Sequence, residues 1–261
     1  MKTLTIFFIS LFSGSLLFAQ QTKVVTSGTV EYDEVINMYG IGRINLQVDQ
    51  TVPSKIMIQS LDRYMQNNPQ FVTIKNKITF NSNRSIYNSF RPITPIAQFG
   101  ANPLQNKYNT TYNDYTNGMS VTHRSVQGAE FLVSDSTRKI KWKIIPGVTR
   151  DVAGYTCREA HGIIQDSLYV VAFYTDKIWV SGGPESFQGL PGMILEVVLP
   201  HEHVSWIATK VTETTISDAA IVPPKGGKPM TNKQLATYLD AVFRSKNIGA
   251  LAMYQLKMFS I

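Results

Sequence analysis

The sequence predicts a mainly β protein: a curved antiparallel sheet or incomplete β-barrel of about ten strands, with one short internal helix and a C-terminal helix. Three observations carry this. Polar and apolar residues alternate with period two through most of the chain, the mark of antiparallel strands with one wet face. The run from Tyr155 to Tyr174 has the pattern of a long hairpin. Only two stretches change to a helical period, and no motif repeats every twenty to fifty residues, which excludes solenoids and propellers.

Residues 1–19 read as a secretory signal. Lys2 is the positive start, Leu4 to Phe18 the apolar core, and Leu17-Phe18-Ala19 a cleavage site before Gln20. The apolar run is about fifteen residues against the roughly twenty of a membrane span, so a cleaved signal is the better reading. Residues 20–222 then form a β-rich domain, and 223–261 a Pro/Gly linker with a helical segment. From Val24 to Gln50 the alternation predicts strands punctuated by Gly40 and Gly42, ending in Ile44 to Val48. Ile56, Ile58, Leu61, Tyr64 and Met65 lie on a helical stripe behind Pro53-Ser54.

Thr73 to Tyr87 returns to strand texture. The polar stretch Asn109 to Gly118 is either a surface loop or two edge strands around an Asn-Gly turn, placed at the periphery. Ala129 to Val133 and Ile140 to Ile145 are expected to pair as a hairpin across Ser134 to Arg138. Tyr155 to Ile163 and Leu168 to Tyr174 form the clearest hairpin, and Val204 to Val211 is a further strand. After the Pro223 to Pro229 linker, Thr231 caps a helix with Leu235, Leu239, Val242 and Phe243 on one face.

The most constrained stretch is Ser181 to Pro200. Gly189, Leu190, Pro191 and Gly192 lead straight into the apolar run Met193 to Leu199, interrupted only by Glu196. Leu190-Pro191-Gly192-Met193 is predicted as a type II turn feeding a buried strand. Gly189 to Glu196 resembles the signature of the GLPGLI family of exported Bacteroidetes proteins, with Met193 for the usual leucine. Trp142, Gly154-Tyr155-Thr156-Cys157, Ala172-Phe173-Tyr174-Thr175, Gly183-Pro184 and the run from Phe80 to Tyr87 fall in the family order. The resemblance implies an exported protein of the periplasm or outer-membrane periphery. It also implies an envelope partner such as a TonB-dependent outer-membrane system; it implies no established activity.

The chain is moderately basic, with net charge +7 and pI near 9.4. Its Lys and Arg are scattered, with small concentrations at Arg138 to Lys143 and Lys225 to Lys228. That is unlike the stripe a nucleic-acid binder needs and suits a solvated basic surface with affinity for anionic lipid or polysaccharide. No apolar run after the signal is long enough to cross a bilayer as a helix. The lone Cys157 excludes an internal disulfide and reads as a buried apolar side chain.

On an extended strand Cys157 and His161 stand about 13 Å apart, too far for a dyad. His201 and His203 on a strand would have Cα atoms about 6.6 Å apart, close enough to share copper or zinc, although no third ligand is identifiable. A metal-binding protein or hydrolase using this pair is therefore one reading. No Walker loop, dinucleotide fingerprint, nucleophile elbow, H-E-x-x-H or C-x-x-C occurs. Trp179 and Phe187 flank the Gly-rich loop, with Tyr174 before it. They mark a candidate cavity for a lipid-like or saccharide ligand. The favoured reading is a non-enzymatic binding or structural protein for a hydrophobic ligand or an envelope partner.

Overall fold

The computed structural model describes residues 24–48, 55–90, 108–126 and 128–245. The signal reading of residues 1–19, and the C-terminal reading beyond residue 245, lie outside them. Twelve strands form one open, curved sheet: β1 (Gly28–Asn37), β2 (Phe71–Phe80), β3 (Arg84–Ser89), β4 (Thr110–Asp114), β5 (Met119–Val126), β6 (Ala129–Ser136), β7 (Lys143–Val152), β8 (Tyr155–Ile164), β9 (Leu168–Thr175), β10 (Met193–Leu199), β11 (Val204–Glu213) and β12 (Lys228–Met230). Their order is β12-β6-β5-β4-β3-β2-β1-β11-β10-β9-β8-β7. All pairs are antiparallel except β12 with β6, so the sheet is mixed. It is not a closed barrel; β7 and β12 are its edges. Among the described residues three α-helices accompany it: α1 (Met38–Val48), α2 (Lys55–Asn67) and α3 (Asn232–Ser245).

The sheet buries one face along its central strands. Val30, Tyr32, Glu34 and Ile36 of β1 alternate with half-exposed neighbours, and Val204, Trp206 and Ala208 of β11 do the same. Tyr32 spans β11 to donate its hydroxyl to the Ile194 carbonyl at 2.6 Å. β10 is buried on both faces, as its nearly continuous apolar run requires.

Several sequence expectations change here. Gly40 and Gly42 do not punctuate strands; Met38–Val48 is helical. Met38 and Ile41 recur at helical spacing and are buried, and the Asn37 side chain accepts the Gly40 N–H at 3.0 Å as an N-cap. Gly40 is there for close packing, since a Cβ would lie 2.5 Å from the His203 ring. α2 appears where its stripe predicts it, burying Leu61 and Tyr64 while Ile56 stays exposed. Asn109 to Gly118 contributes β4 and the turn into β5, and both strands are interior to the sheet rather than at an edge.

The expected hairpin between Ala129 to Val133 and Ile140 to Ile145 does not form. β6 instead pairs with β5 and β12, and β7 with β8 at the far edge. Residues 137–142 are an extended strap between the two halves of the sheet. The physical reason is Gly162, which receives the Ile140 and Trp142 side chains at 3.0 Å from where its Cβ would be. The β8–β9 hairpin stands as predicted, with Gln165 and Asp166 at positive φ in its turn. Lys228–Met230, within and just beyond the Pro/Gly stretch, is strand β12. α3 begins with a capping box: Thr231 Oγ1 accepts the Gln234 N–H at 3.2 Å, and Gln234 Oε1 accepts the Thr231 N–H at 2.8 Å. Its Leu235 and Leu239 close a small second core with Val126, Phe131 and Val133.

Candidate functional site

The motif stretch lies in the hollow of the sheet. Phe187 is buried against Trp206, with ring centroids 5.7 Å apart. Glu185, also buried, accepts a hydrogen bond from Asn109 Nδ2 at 2.9 Å and holds φ +52°. The Gln188 carbonyl accepts Trp142 Nε1–H at 2.8 Å, and Ser181 Oγ accepts the Gly189 N–H at 3.1 Å. The expected type II turn is not formed. The Gly192 N–H returns to the Leu190 carbonyl at 2.8 Å, a tighter three-residue turn, while the Met193 N–H goes to Ile178. The other motif elements are structural in the same way. Phe80 and Tyr87 are core, Asn81 Oδ1 accepts the N–H groups of Asn83 and Arg84, and Ser85 bonds Tyr115 Oη at 2.7 Å.

The three residues expected to mark a ligand cavity are not brought together on one. Tyr174 and Phe187 are fully buried core side chains, whereas Trp179 is 69% exposed. His201 and His203 sit in the turn Pro200 to His203 between β10 and β11, not on a strand. His203 has φ +58° and its ring packs on Gly40. Burial, then the nearby Arg43 and His201, hold its imidazole below the usual histidine range. Among the described residues no group of three or more His, Cys, Asp or Glu side chains is arranged to hold a metal ion.

Cys157 is buried in β8, across from Arg150 of β7. Burial, with the charges of Glu196 and Asp151, pushes its thiol up to about 12 from 9.0. The folded protein thus keeps a proton that the unfolded chain loses above about pH 9. The stabilisation is full below that pH and drains away as pH rises towards about 12. We expect native Cys157 to resist iodoacetamide at about pH 8.5 and to react only on unfolding. Cys157→Ala should lose less stability than wild type between about pH 9 and about pH 11, read by urea titration. Equal losses would remove Cys157 as the cause.

A cavity of about 730 Å³ opens elsewhere, between the strap and the end of the β8–β9 hairpin. One wall carries Arg138, Lys139, Lys141 and Lys143; the other runs from His161 to Asp166 and includes Tyr169. Gly162, Ile163 and Ile164 make that wall largely apolar. Burial pushes the Arg138 guanidinium down from its ordinary value. Of its lining residues, Tyr169 Oη lies 2.9 Å from His161 Nδ1, and His161 Nε2 is in turn hydrogen-bonded to Glu159 Oε1. The His161 and Tyr169 rings meet edge-on at 5.5 Å, and His201 lies 6.3 Å beyond Tyr169. Lys143 is the cross-strand partner of His161.

The basic cluster Arg138 to Lys143 was visible in the sequence; the Glu159–His161–Tyr169 chain was missed. Its signal was present: Glu159 and His161 share a face at period two, and the hairpin register sets Tyr169 opposite Ile163, diagonal to His161.

No curated protein matches the chain. Solved structures of PNGF-II in the P21 and C2 space groups are similar to it at 16% and 15% identity, with TM-scores of 0.50 and 0.49. Each similarity covers 84% of this chain, which spans about a third of the PNGF-II chains (34% and 33%). An uncharacterized conserved protein from Thermus thermophilus is similar at 7% identity and TM-score 0.38, over 81% of this chain and 93% of that one. At such identities the first likeness supports the sheet architecture alone, and the lower scores carry no argument. Residues 149–196, from the end of β7 into β10, match a family described as "Protein of unknown function (Porph_ging)".

Proposed function

We propose that the chain is an exported, GLPGLI-type protein of the periplasm or outer-membrane periphery that binds an anionic amphipathic molecule at the strap cavity. The observation that carries this is the cavity itself. Four cationic residues and the apolar Gly162, Ile163 and Ile164 together line a space of about 730 Å³, within the range of small-molecule sites. The hollow of the sheet, by contrast, holds the chain's own motif loop, so a lipid-like ligand finds its place on the strap side. Lys and Arg near an anionic headgroup contribute about 1 kcal/mol each, and the apolar wall takes hydrocarbon. An envelope partner such as a TonB-dependent system fits the same reading as donor or acceptor of the ligand.

The test is binding to phosphatidylglycerol vesicles against phosphatidylcholine vesicles, followed by co-sedimentation at rising salt. Replacing Lys139, Lys141 and Lys143 together with Ala should weaken binding by about 100-fold, from three contacts of roughly 1 kcal/mol each. Equal affinity for both vesicles, or no effect of the triple substitution, sinks the assignment.

A further inference from the structure

The floor of the strap cavity has the order of groups found where a base activates a nucleophile. A carboxylate orients an imidazole, and the imidazole stands within hydrogen-bond reach of a hydroxyl. With Glu159 ionised and the imidazole neutral, valence sets the direction of both bonds. An ionised Glu159 only accepts, so His161 Nε2 carries the proton. In the neutral ring Nδ1 is then an acceptor, and the Tyr169 hydroxyl donates to it at 2.9 Å. The chain therefore points its basic nitrogen at the phenol. His161 and Tyr169 both line the cavity, which brings this pair to a bound molecule.

The charge of the cavity selects the substrate class. Lys143 lies directly across from His161, and Arg138, Lys139 and Lys141 line the same cavity. Such a wall stabilises charge spread over the oxygens of a phosphoryl group. We propose that the cavity is a hydrolytic site for phosphate esters, with Tyr169 as nucleophile and His161 as general base and acid. The inference rests on the reading of the cavity as an anion site.

The steps balance without a further reactant. Tyr169 Oη attacks phosphorus and gives its proton to His161 Nδ1, while the bond from phosphorus to the ester oxygen breaks. The imidazolium, held by Glu159, returns that proton to the departing alkoxide, which leaves as an alcohol. Water then attacks the phosphotyrosyl group and yields its proton to His161. The bond from phosphorus to Tyr169 oxygen breaks, and Tyr169 recovers the proton as phosphate departs. A phenolate leaves phosphorus more readily than an alkoxide because its conjugate acid is far stronger, with a reference pKa of about 10. Hydrolysis of the intermediate is thereby favoured.

The experiment uses the full chain with p-nitrophenyl phosphate and bis(p-nitrophenyl) phosphate, following nitrophenolate release. Acid-quenched wild-type protein is mapped by peptide mass for a phosphoryl group on Tyr169. We expect release to fall at least ~100-fold in Tyr169→Phe and in His161→Gln, as for loss of a nucleophile or its base. The adduct should appear on Tyr169 in the wild type alone, a readout that does not depend on the folding of any variant. Release undiminished in Tyr169→Phe, or no release and no adduct in the wild type, overturns the inference. Vesicle binding without release leaves the anion site and removes the chemistry. Release without vesicle binding keeps the chemistry and removes the amphiphile, and neither result removes both.

Discussion

Gly192→Val should yield no stably folded protein, or one destabilised by more than about 4 kcal/mol. Gly192 has φ +140°, a conformation that β-branched residues avoid, and this strain alone costs about 1–3 kcal/mol. Space is the larger difficulty. A Cβ at this position would lie 2.0 Å from the Thr175 carbonyl oxygen and 2.8 Å from its carbon. Both are backbone atoms of β9, held in register with Met193 and unable to yield as a side-chain tip could. Relief requires β10 to separate from β9 where the sheet is buried on both faces. For a domain of this size the change corresponds to a fall in Tm of roughly 10 °C or more. Gly154→Ala supplies the contrast. Gly154 also has positive φ, +83°, but nothing lies within 4 Å of its added Cβ, so the cost is confined to backbone strain of about 1 kcal/mol. Thermal melts of the two variants decide the matter. If Gly192→Val melts no lower than Gly154→Ala, close approach is not why the motif ends in glycine.

The parts of the fold legible in the sequence were those written in local pattern. Period-two alternation identified the curved, mainly antiparallel sheet, and the turn signal at Ile164 to Ser167 identified the β8–β9 hairpin. The Thr231 cap and the α2 stripe did the same for two helices. What failed was pairing between segments close in sequence but distant in the sheet. Residues 129–145 carry two strands with a polar bridge, and a hairpin is the natural inference from such spacing. Nothing local states that the bridge is a strap held by Trp142 on Gly162, because that contact depends on a glycine about twenty residues downstream. α1 failed for a related reason: two glycines look like strand breakers until the His203 ring pressed against Gly40 is known.

The candidate site divides along the same line. Arg138 to Lys143 are adjacent in the chain and were legible as a basic cluster. Glu159, His161 and Tyr169 become one hydrogen-bonded chain only through a diagonal across two strands, which the hairpin register implies but composition does not. Trp179, Phe187 and Tyr174 were singled out for aromatic character beside a flexible-looking loop. The loop instead turns inward, so Phe187 follows it into the core while Trp179 remains outside. Aromatic content alone does not distinguish a ligand wall from core packing.

That inward turn rests on Glu185, and Glu185→Leu should cost about 3–5 kcal/mol. The carboxylate is 2% exposed, and three separate elements converge on it. Asn109, just ahead of β4, donates to it at 2.9 Å; the Tyr87 phenol of β3, held above its ordinary range first by burial, is held further by its charge; and the Arg124 guanidinium of β5 feels that charge too. Burial pushes Arg124 down to about 10, and the Glu185 charge opposes that fall. Removing the carboxylate takes from a buried cation an anion that favours its charged form, and strips the loop's main polar tie to the β3–β5 half of the sheet. A charge in such a place is costly to strand but not costly to remove together with its counterpart. The double variant Glu185→Leu/Arg124→Met should therefore recover a substantial part of the loss, leaving a coupling of about 0.5–3 kcal/mol, in the usual range for contacting residues. Glu185→Gln, which retains an acceptor for Asn109 but no charge, should fall between wild type and Leu. Urea unfolding of the four proteins tests all of this at once. Strictly additive losses in the double variant would mean that Glu185 anchors the loop through Asn109, with Arg124 balanced by other groups.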